Sequence, residues 1–220
     1  MLQSSTLKFL IDLEKNNSKP WFDSNRKKYE QAKADFLIFT ENIIAGVSSF
    51  DASVAHLTGK DCTYRINRDV RFSKNKSPYK NNMAAYLNKA GKKGEGAGYY
   101  FHCQPGQSFA AGGVFMPMPP QLAKIRQEID YSFDEFKKII SSKNFKKYFA
   151  DGVEATGSLS RPPKGYTDDN PAIEYLKMKG FIVKCSFTNA QLQEKNVVKE
   201  ITKTFEAMQP LINFINTAID

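Results

Sequence analysis

Residues 99–116 constrain the fold more than any other part of this chain. Tyr99-Tyr100-Phe101-His102-Cys103 and the run from Ser108 to Met116 are two β-prone segments separated by Gln104-Pro105-Gly106-Gln107. Pro followed by Gly suits the centre of a tight turn, so the stretch predicts a β-hairpin with His102 on the same face as Tyr100. Gly112-Gly113 mark a bulge or a place where another group approaches the backbone closely. Downstream, Phe181, Val183, Cys185 and Phe187 alternate against Ile182, Lys184 and Ser186, which predicts a further strand.

The remaining periodicity is mostly helical. Leu7, Leu10, Ile11 and Leu13 predict a short amphipathic helix over 5–15. Pro20 favours the first turn of a second helix reaching about Val47, with Phe22, Tyr29, Phe36 and Ile43 on one stripe. Trp21 and Arg26 fall at its start, where the helix dipole favours an anion. Residues 48–63 read as a loop with a short edge strand, and 83–88 as either extended or briefly helical. Pro119-Pro120 open a helix with Leu122, Ile125 and Ile129 inward; Phe133, Phe136, Ile139 and Ile140 belong to another, and Asn144 to Phe149 form a third turn. Asn170 caps a helix over 171–179 that Gly180 stops. A last helix from about Ala190 carries Val197, Ile201, Phe205, Met208, Ile212 and Ile215 inward, and Pro210 is expected to kink or divide it. Helices at both ends around a mainly antiparallel, hairpin-built sheet define an α+β fold, with residues 1–220 read as a single domain.

Charge is concentrated in one place. Residues 64–80 hold six basic side chains (Arg65, Arg68, Arg71, Lys74, Lys76 and Lys80) and one acid, Asp69, whereas the whole chain carries +9. Ile66, Val70 and Phe72 alternate with Arg65, Asn67, Asp69, Arg71 and Ser73, which predicts a half-buried strand with a charged face running into a Ser-Pro turn. On that face Asp69 is suited to orienting one arginine through a bidentate pair. Arg68 falls on the apolar side and needs a carboxylate, carbonyls or a cavity; Asp168, Asp169 and Glu174 are its candidate carboxylates. Arg126, four residues from Asp130, and the stiff basic loop Arg161-Pro162-Pro163-Lys164 supply further cations.

The chain resembles an uncharacterised family of bacterial and fungal proteins that is known as a conserved domain of unknown function. Its most specific part is the run Arg65-Ile66-Asn67-Arg68-Asp69-Val70-Arg71-Phe72-Ser73-Lys74-Asn75-Lys76-Ser77-Pro78-Tyr79-Lys80. Trp21-Phe22 with Arg26 and Tyr29, Tyr100 through Pro105-Gly106, Gly112-Gly113 to Pro117, Arg126 and Arg161 to Gly165 also match. Asp169-Asn170-Pro171 stands where the family tends to show Asp-His-Pro, and Ala111 where it tends to show a third glycine. The resemblance implies a set of positions and no reaction.

Several function classes are disfavoured at this level. Gly91, Gly94, Gly96 and Gly98 form neither a dinucleotide fingerprint nor a P-loop, so no cofactor is expected. Cys62, Cys103 and Cys185 are odd in number and lack CxxC spacing, and only His56 and His102 accompany them, so no metal site is expected. The amphipathic N-terminal run with Asp12 and Glu14 is unlike a signal peptide, and no apolar stretch of about 18 residues occurs. A cytoplasmic protein with reduced, buried thiols and no membrane partner is the expectation.

Three functions remain, against the competing reading of an ion-paired sheet edge and a turn. The first is a site for a small phosphate- or carboxylate-bearing ligand, held by Arg65, Arg68, Arg71, Lys74, Lys76 and Lys80 with Tyr79 and Tyr100 as walls and Arg126, Arg161 and Lys164 contributing. The second is nucleic-acid binding through the basic patch. The third is a hydrolase with Asp69 or His102 as general base. Oligomeric state is left open by the sequence.

Overall fold

The computed structural model describes residues 1–219. Helix α1 (Ser4–Lys15) is followed by α2 (Lys19–Ser24) and α3 (Arg26–Ser48). The single helix expected from Pro20 onward is therefore broken, and Asn25 does it. Its side-chain amide donates to the Trp21 carbonyl (2.9 Å), capping α2 before α3 begins. The next stretch contains α4 (Gly59–Cys62) and leads through the basic segment into β1 (Met83–Leu87), which settles 83–88 as extended. Strands β2 (Gly98–Cys103) and β3 (Ser108–Val114) form the expected hairpin, Gln107 N–H closing the turn on the Gln104 carbonyl at 2.9 Å with Gly106 at φ +76°. Three helices follow: α5 (Pro119–Tyr131), α6 (Phe133–Ser141) and α7 (Lys143–Tyr148).

The chain closes with β4 (Glu154–Ala155), α8 (Ile173–Leu176), β5 (Phe181–Phe187), α9 (Asn189–Leu192) and α10 (Val197–Ile219). Helix α8 is much shorter than the expected 171–179. Lys179 N–H bonds the Gly157 carbonyl and Leu159 N–H the Lys177 carbonyl, both at 2.8 Å, so residues 177–179 pair with a neighbouring segment instead of coiling. Nor is the last helix continuous from residue 190. The break falls between α9 and α10, whereas Pro210 lies inside an undivided α10 with Met208, Leu211 and Ile212 buried around it.

The sheet is antiparallel throughout, in the order β1-β2-β3-β5-β4. Because side chains alternate across a strand, Tyr99, Phe101 and Cys103 face one side, and Tyr100 and His102 face the other. The first side is the core. Phe101 meets Phe39 of α3 at 5.5 Å and Tyr99 meets Phe205 of α10 at 5.3 Å. Gly112 permits α10 to seat closely, since a Cβ there would lie 2.1 Å from Met208 Sδ, and Gly113 (φ +114°) similarly admits the Phe181 carbonyl. Helices α5 and α6 pack outside α10, with Phe136 against Phe214 at 5.5 Å. The second side, at the β1 edge, carries the candidate site. Among the described residues, no helix is long and apolar enough to cross a membrane.

Candidate functional site

The basic segment is not the regular strand its alternation predicts. Tyr64 N–H bonds the Ala84 carbonyl (3.0 Å) and continues the edge of β1, after which the chain reverses. Arg68 N–H to the Pro78 carbonyl (2.9 Å) and Lys80 N–H to the Ile66 carbonyl (2.8 Å) flank a single bridge between Asn67 and Tyr79. Beyond that bridge, polar side chains capture the backbone. Asp69 Oδ1 accepts from Arg71 N–H (3.2 Å) and Asn75 Oδ1 from Ser77 N–H (2.9 Å), bending the tip into turns. Ile66 is buried as expected and Val70 only half-buried, whereas Phe72 is 97 % exposed.

The reversal puts Arg68 and Lys80 at diagonal positions across the bridge, on one face. Together with Asp69, Tyr100 and His102 they line a hollow of about 510 Å³, completed by Tyr64, Asn82 and Ala84. Arg68, Lys80 and Asn82 also line an adjoining hollow of about 420 Å³ on the α1 side. The two cations thus form a ridge between two cavities.

Their partners are neutral. Arg68 donates to the Ser77 carbonyl (3.2 Å) and the Ser73 hydroxyl (3.4 Å), which uses two of its five N–H groups. None of the expected carboxylates reaches it: Asp168 pairs with Lys177 at 2.9 Å and Asp169 accepts from the Thr167 hydroxyl. The Lys80 ammonium sits over the Tyr64 ring, 5.4 Å from its centroid. Burial, and then the neighbouring Arg65 charge, lower the pKa of Lys80 from its ordinary value. Asp69 is engaged elsewhere. Arg71 Nε and Nη2 reach its two oxygens at 3.0 and 2.6 Å, and these bonds hold its carboxyl below the usual range. A carboxylate so stabilised is a poor base.

His102 is equally committed. Nε2 meets Gln104 Oε1 at 3.0 Å, which places the proton on Nε2, and Nδ1 accepts the Tyr100 hydroxyl at 2.9 Å. The ring stacks on Phe109 (4.8 Å between centroids, 12° between planes). Burial lowers the His102 pKa against the opposing pull of Gln104, and burial pushes the Tyr100 phenol up to about 12. A proton taken up by His102 at Nδ1 makes that nitrogen a donor and reverses the bond to Tyr100.

The other sequence candidates lie outside this hollow. Tyr79 is buried, stacked on Phe22 at 3.9 Å, and contributes to the adjoining cavity. Arg65 lines a third hollow toward α3. Lys74 and Lys76 are exposed on the loop tip, with Lys76 Nζ 3.1 Å from the Val70 carbonyl. Arg126 is half-buried on α5, donating to the Met178 carbonyl at 3.0 Å, and Arg161 and Lys164 are exposed in the loop between β4 and α8. Trp21 and Arg26 are elsewhere too: Trp21 stacks with Phe9, and Arg26 bonds Asp23 at 2.8 Å. Sequence reasoning gave no role to Tyr64, Asn82 or Ala84; the signal was Asn82's position two residues past the basic run, on the approach to β1.

Cys62, Cys103 and Cys185 are free thiols, the first two buried and the third half-buried. Among the described residues, His, Cys, Asp and Glu form no group of three able to hold a metal ion. A model of the conserved hypothetical protein family DUF2461 matches residues 5–214. No curated protein and no solved structure matches the chain.

Proposed function

The chain belongs to the DUF2461 family of conserved hypothetical proteins, and on that footing we propose that it binds a small phosphate- or carboxylate-bearing ligand between Arg68 and Lys80. The carrying observation is an imbalance. Two cations share a hollow and meet only a carbonyl, a hydroxyl and a ring, while the acid that lines this hollow among the described residues, Asp69, is paired with Arg71. A guanidinium with three uncommitted donors is suited to a planar or tetrahedral oxyanion. Tyr100, Asn82 and Tyr64 supply further polar atoms and a wall.

Inorganic phosphate tests this. At 100 times its dissociation constant a ligand adds about 2.7 kcal/mol of stability, which for a chain of this size raises Tm by roughly 5–10 °C. The wild type is expected to show that rise and Arg68→Ala to show none. A flat response of the wild type to phosphate, sulfate and a panel of carboxylates would sink the proposal.

A second reading has its own observation. At the loop tip, exposed Phe72 stands among exposed Arg71, Lys74 and Lys76, an aromatic surface for stacking a base with cations for phosphates. It requires single-stranded oligonucleotide binding whose logarithm falls steeply with the logarithm of salt concentration. Salt-independent binding, or none at about 50 mM salt, removes it.

A further inference from the structure

The cavity on the α1 side of the Arg68–Lys80 ridge differs in kind from an ordinary ligand pocket. Such pockets are mostly apolar with a few polar anchors. This one has a volume of about 420 Å³, and no aliphatic side chain lines it. Apart from the ridge and buried Tyr79, its walls are Glu14, Asn17, Asn75, Ser77, Asn81 and Asn82.

What these groups have left to offer follows from the bonds they already make. Asn17 is structural: its Nδ2 donates to the Tyr79 carbonyl (2.9 Å) and its Oδ1 accepts from Tyr79 N–H (3.1 Å), which ties α1 and the following turn to the basic loop. Asn75 gives its oxygen to Ser77 N–H and keeps a free NH2. Asn81 gives an N–H to Glu14 Oε1 (2.8 Å) and keeps its carbonyl oxygen. Glu14 keeps its second oxygen, and Asn82 makes no side-chain bond among the described residues. The unspent capacity is therefore mixed: amide donors from Asn75 and Asn82, acceptors from Asn81, Asn82 and Glu14.

That mixture selects a chemistry. An ionised carboxylate only accepts, so Glu14 repels a second anion and requires donors from a ligand. An amide donor such as that of Asn75 requires acceptors. A hydroxyl group is both, and several adjacent hydroxyls answer the whole set. We propose that the ligand is a phosphate monoester of a polyhydroxylated molecule, a sugar or polyol phosphate. Its phosphate rests on the Arg68–Lys80 ridge and its hydroxyls enter the carboxamide-lined cavity. This rests on the anion site proposed above and narrows it to a ligand class.

Calorimetric titration at fixed ionic strength separates the two ideas. The probes are ethyl phosphate, which carries the anion alone, glucose without phosphate, and three hydroxylated esters (glucose 6-phosphate, ribose 5-phosphate and glycerol 3-phosphate). At least one hydroxylated ester is expected to bind tenfold or more tightly than ethyl phosphate, and glucose alone to give no heat. A double variant, Glu14→Ala with Asn81→Ala, is expected to bring the best ester down to the affinity of ethyl phosphate without weakening ethyl phosphate itself. Among the described residues these two side chains bond each other and make no bond to the loop that holds Arg68; Glu14 is exposed, Asn81 half-buried, and neither belongs to the core. If all the esters bind equally and Arg68→Ala abolishes them alike, the hydroxyl assignment is wrong and the anion site stands. If no ester binds the wild type, both fall together.

Discussion

In the β2–β3 hairpin, alternating residues form a continuous ladder; in residues 65–73 the same alternation forms one bridge and then a string of turns. The apolar sets differ in what they meet. Phe101 lies against Phe39 beneath α3 and is fully buried, and its neighbours Tyr99 and Cys103 face the same core. Phe72 has no such floor and stands in solvent, and Val70 is only partly covered. Alternation makes a strand when one face has something to bury against, and the period alone does not supply it. Where packing is missing, short-range bonds from Asp69 and Asn75 to the backbone decide the conformation. The consequence for function is that the chain's densest charge sits on a loop, where its side chains face cavities and solvent.

The comparison predicts very unequal responses to truncation. Phe101→Ala removes a fully buried ring from the sheet–helix interface and is expected to cost about 3–5 kcal/mol in urea unfolding. A loss below about 1 kcal/mol would mean that the core face of the hairpin is no better packed than the loop, and the contrast would vanish.

The hairpin and β5 were legible in the sequence because their signals are local: Pro105-Gly106 at the turn, and seven alternating residues up to Phe187. Helix α1 was legible for the same reason, and so was the apolar stripe of α10, though neither its start at Val197 nor its continuity through Pro210 was. What was not legible depends on distant partners. Residues 177–179 leave the helical pattern because Gly157 and Leu159 claim their backbone groups. The site divides in the same way. Six cations in 64–80 could be counted, but which of them share a hollow depends on the chain reversing at the Asn67–Tyr79 bridge. That reversal selects Arg68 and Lys80, gives Arg71 to Asp69, and brings in Tyr64, Asn82 and Ala84 through the edge of β1. The stiffness of Arg161-Pro162-Pro163-Lys164 was visible too, yet stiffness carries no information about where a loop lies.

Neutralising Asp69 sharpens the loop's side of the comparison. Asp69→Asn removes the only acid among the described residues that line the hollow shared with Tyr100 and His102, and releases Arg71 from its two-point pair. Phosphate affinity is expected to rise several-fold, about 1 kcal/mol, with little change in folding stability, as befits an exposed pair. Weaker binding in this variant would show that Asp69 orients a ligand-holding group instead of merely masking one.

The hairpin also carries a titrating group on its open face. The folded state holds His102 below its ordinary pKa of 6.5, so between that depressed value and 6.5 the unfolded chain binds more protons than the native one. The stability that depends on a neutral His102 is complete above pH 6.5 and is lost as pH falls through that window. His102→Gln is expected to flatten the decline of the urea midpoint between about pH 7.5 and 5.5. The lowered carboxylates titrate below their ordinary 3.8 and leave this range alone. Parallel slopes for wild type and variant would show that the imidazole is no more desolvated natively than in the unfolded chain.

The smallest effect is the most discriminating. Phe72, at 97 %, is the most exposed large apolar side chain among the described residues, with the Arg71 guanidinium 5.8 Å from its ring centroid. Phe72→Ala is expected to change stability by no more than about 0.5 kcal/mol, although the residue removed is the same as in Phe101→Ala. The phosphate response proposed for Arg68 and Lys80 is expected to stay as in the wild type. A destabilisation above about 1 kcal/mol would mean that the loop tip packs against the protein in solution, and the contrast between the two alternating segments would then lie in degree of burial alone. If Phe72→Ala instead leaves both stability and phosphate binding intact but abolishes oligonucleotide binding, the tip and the ridge are separate surfaces, with base stacking on one and anion capture on the other.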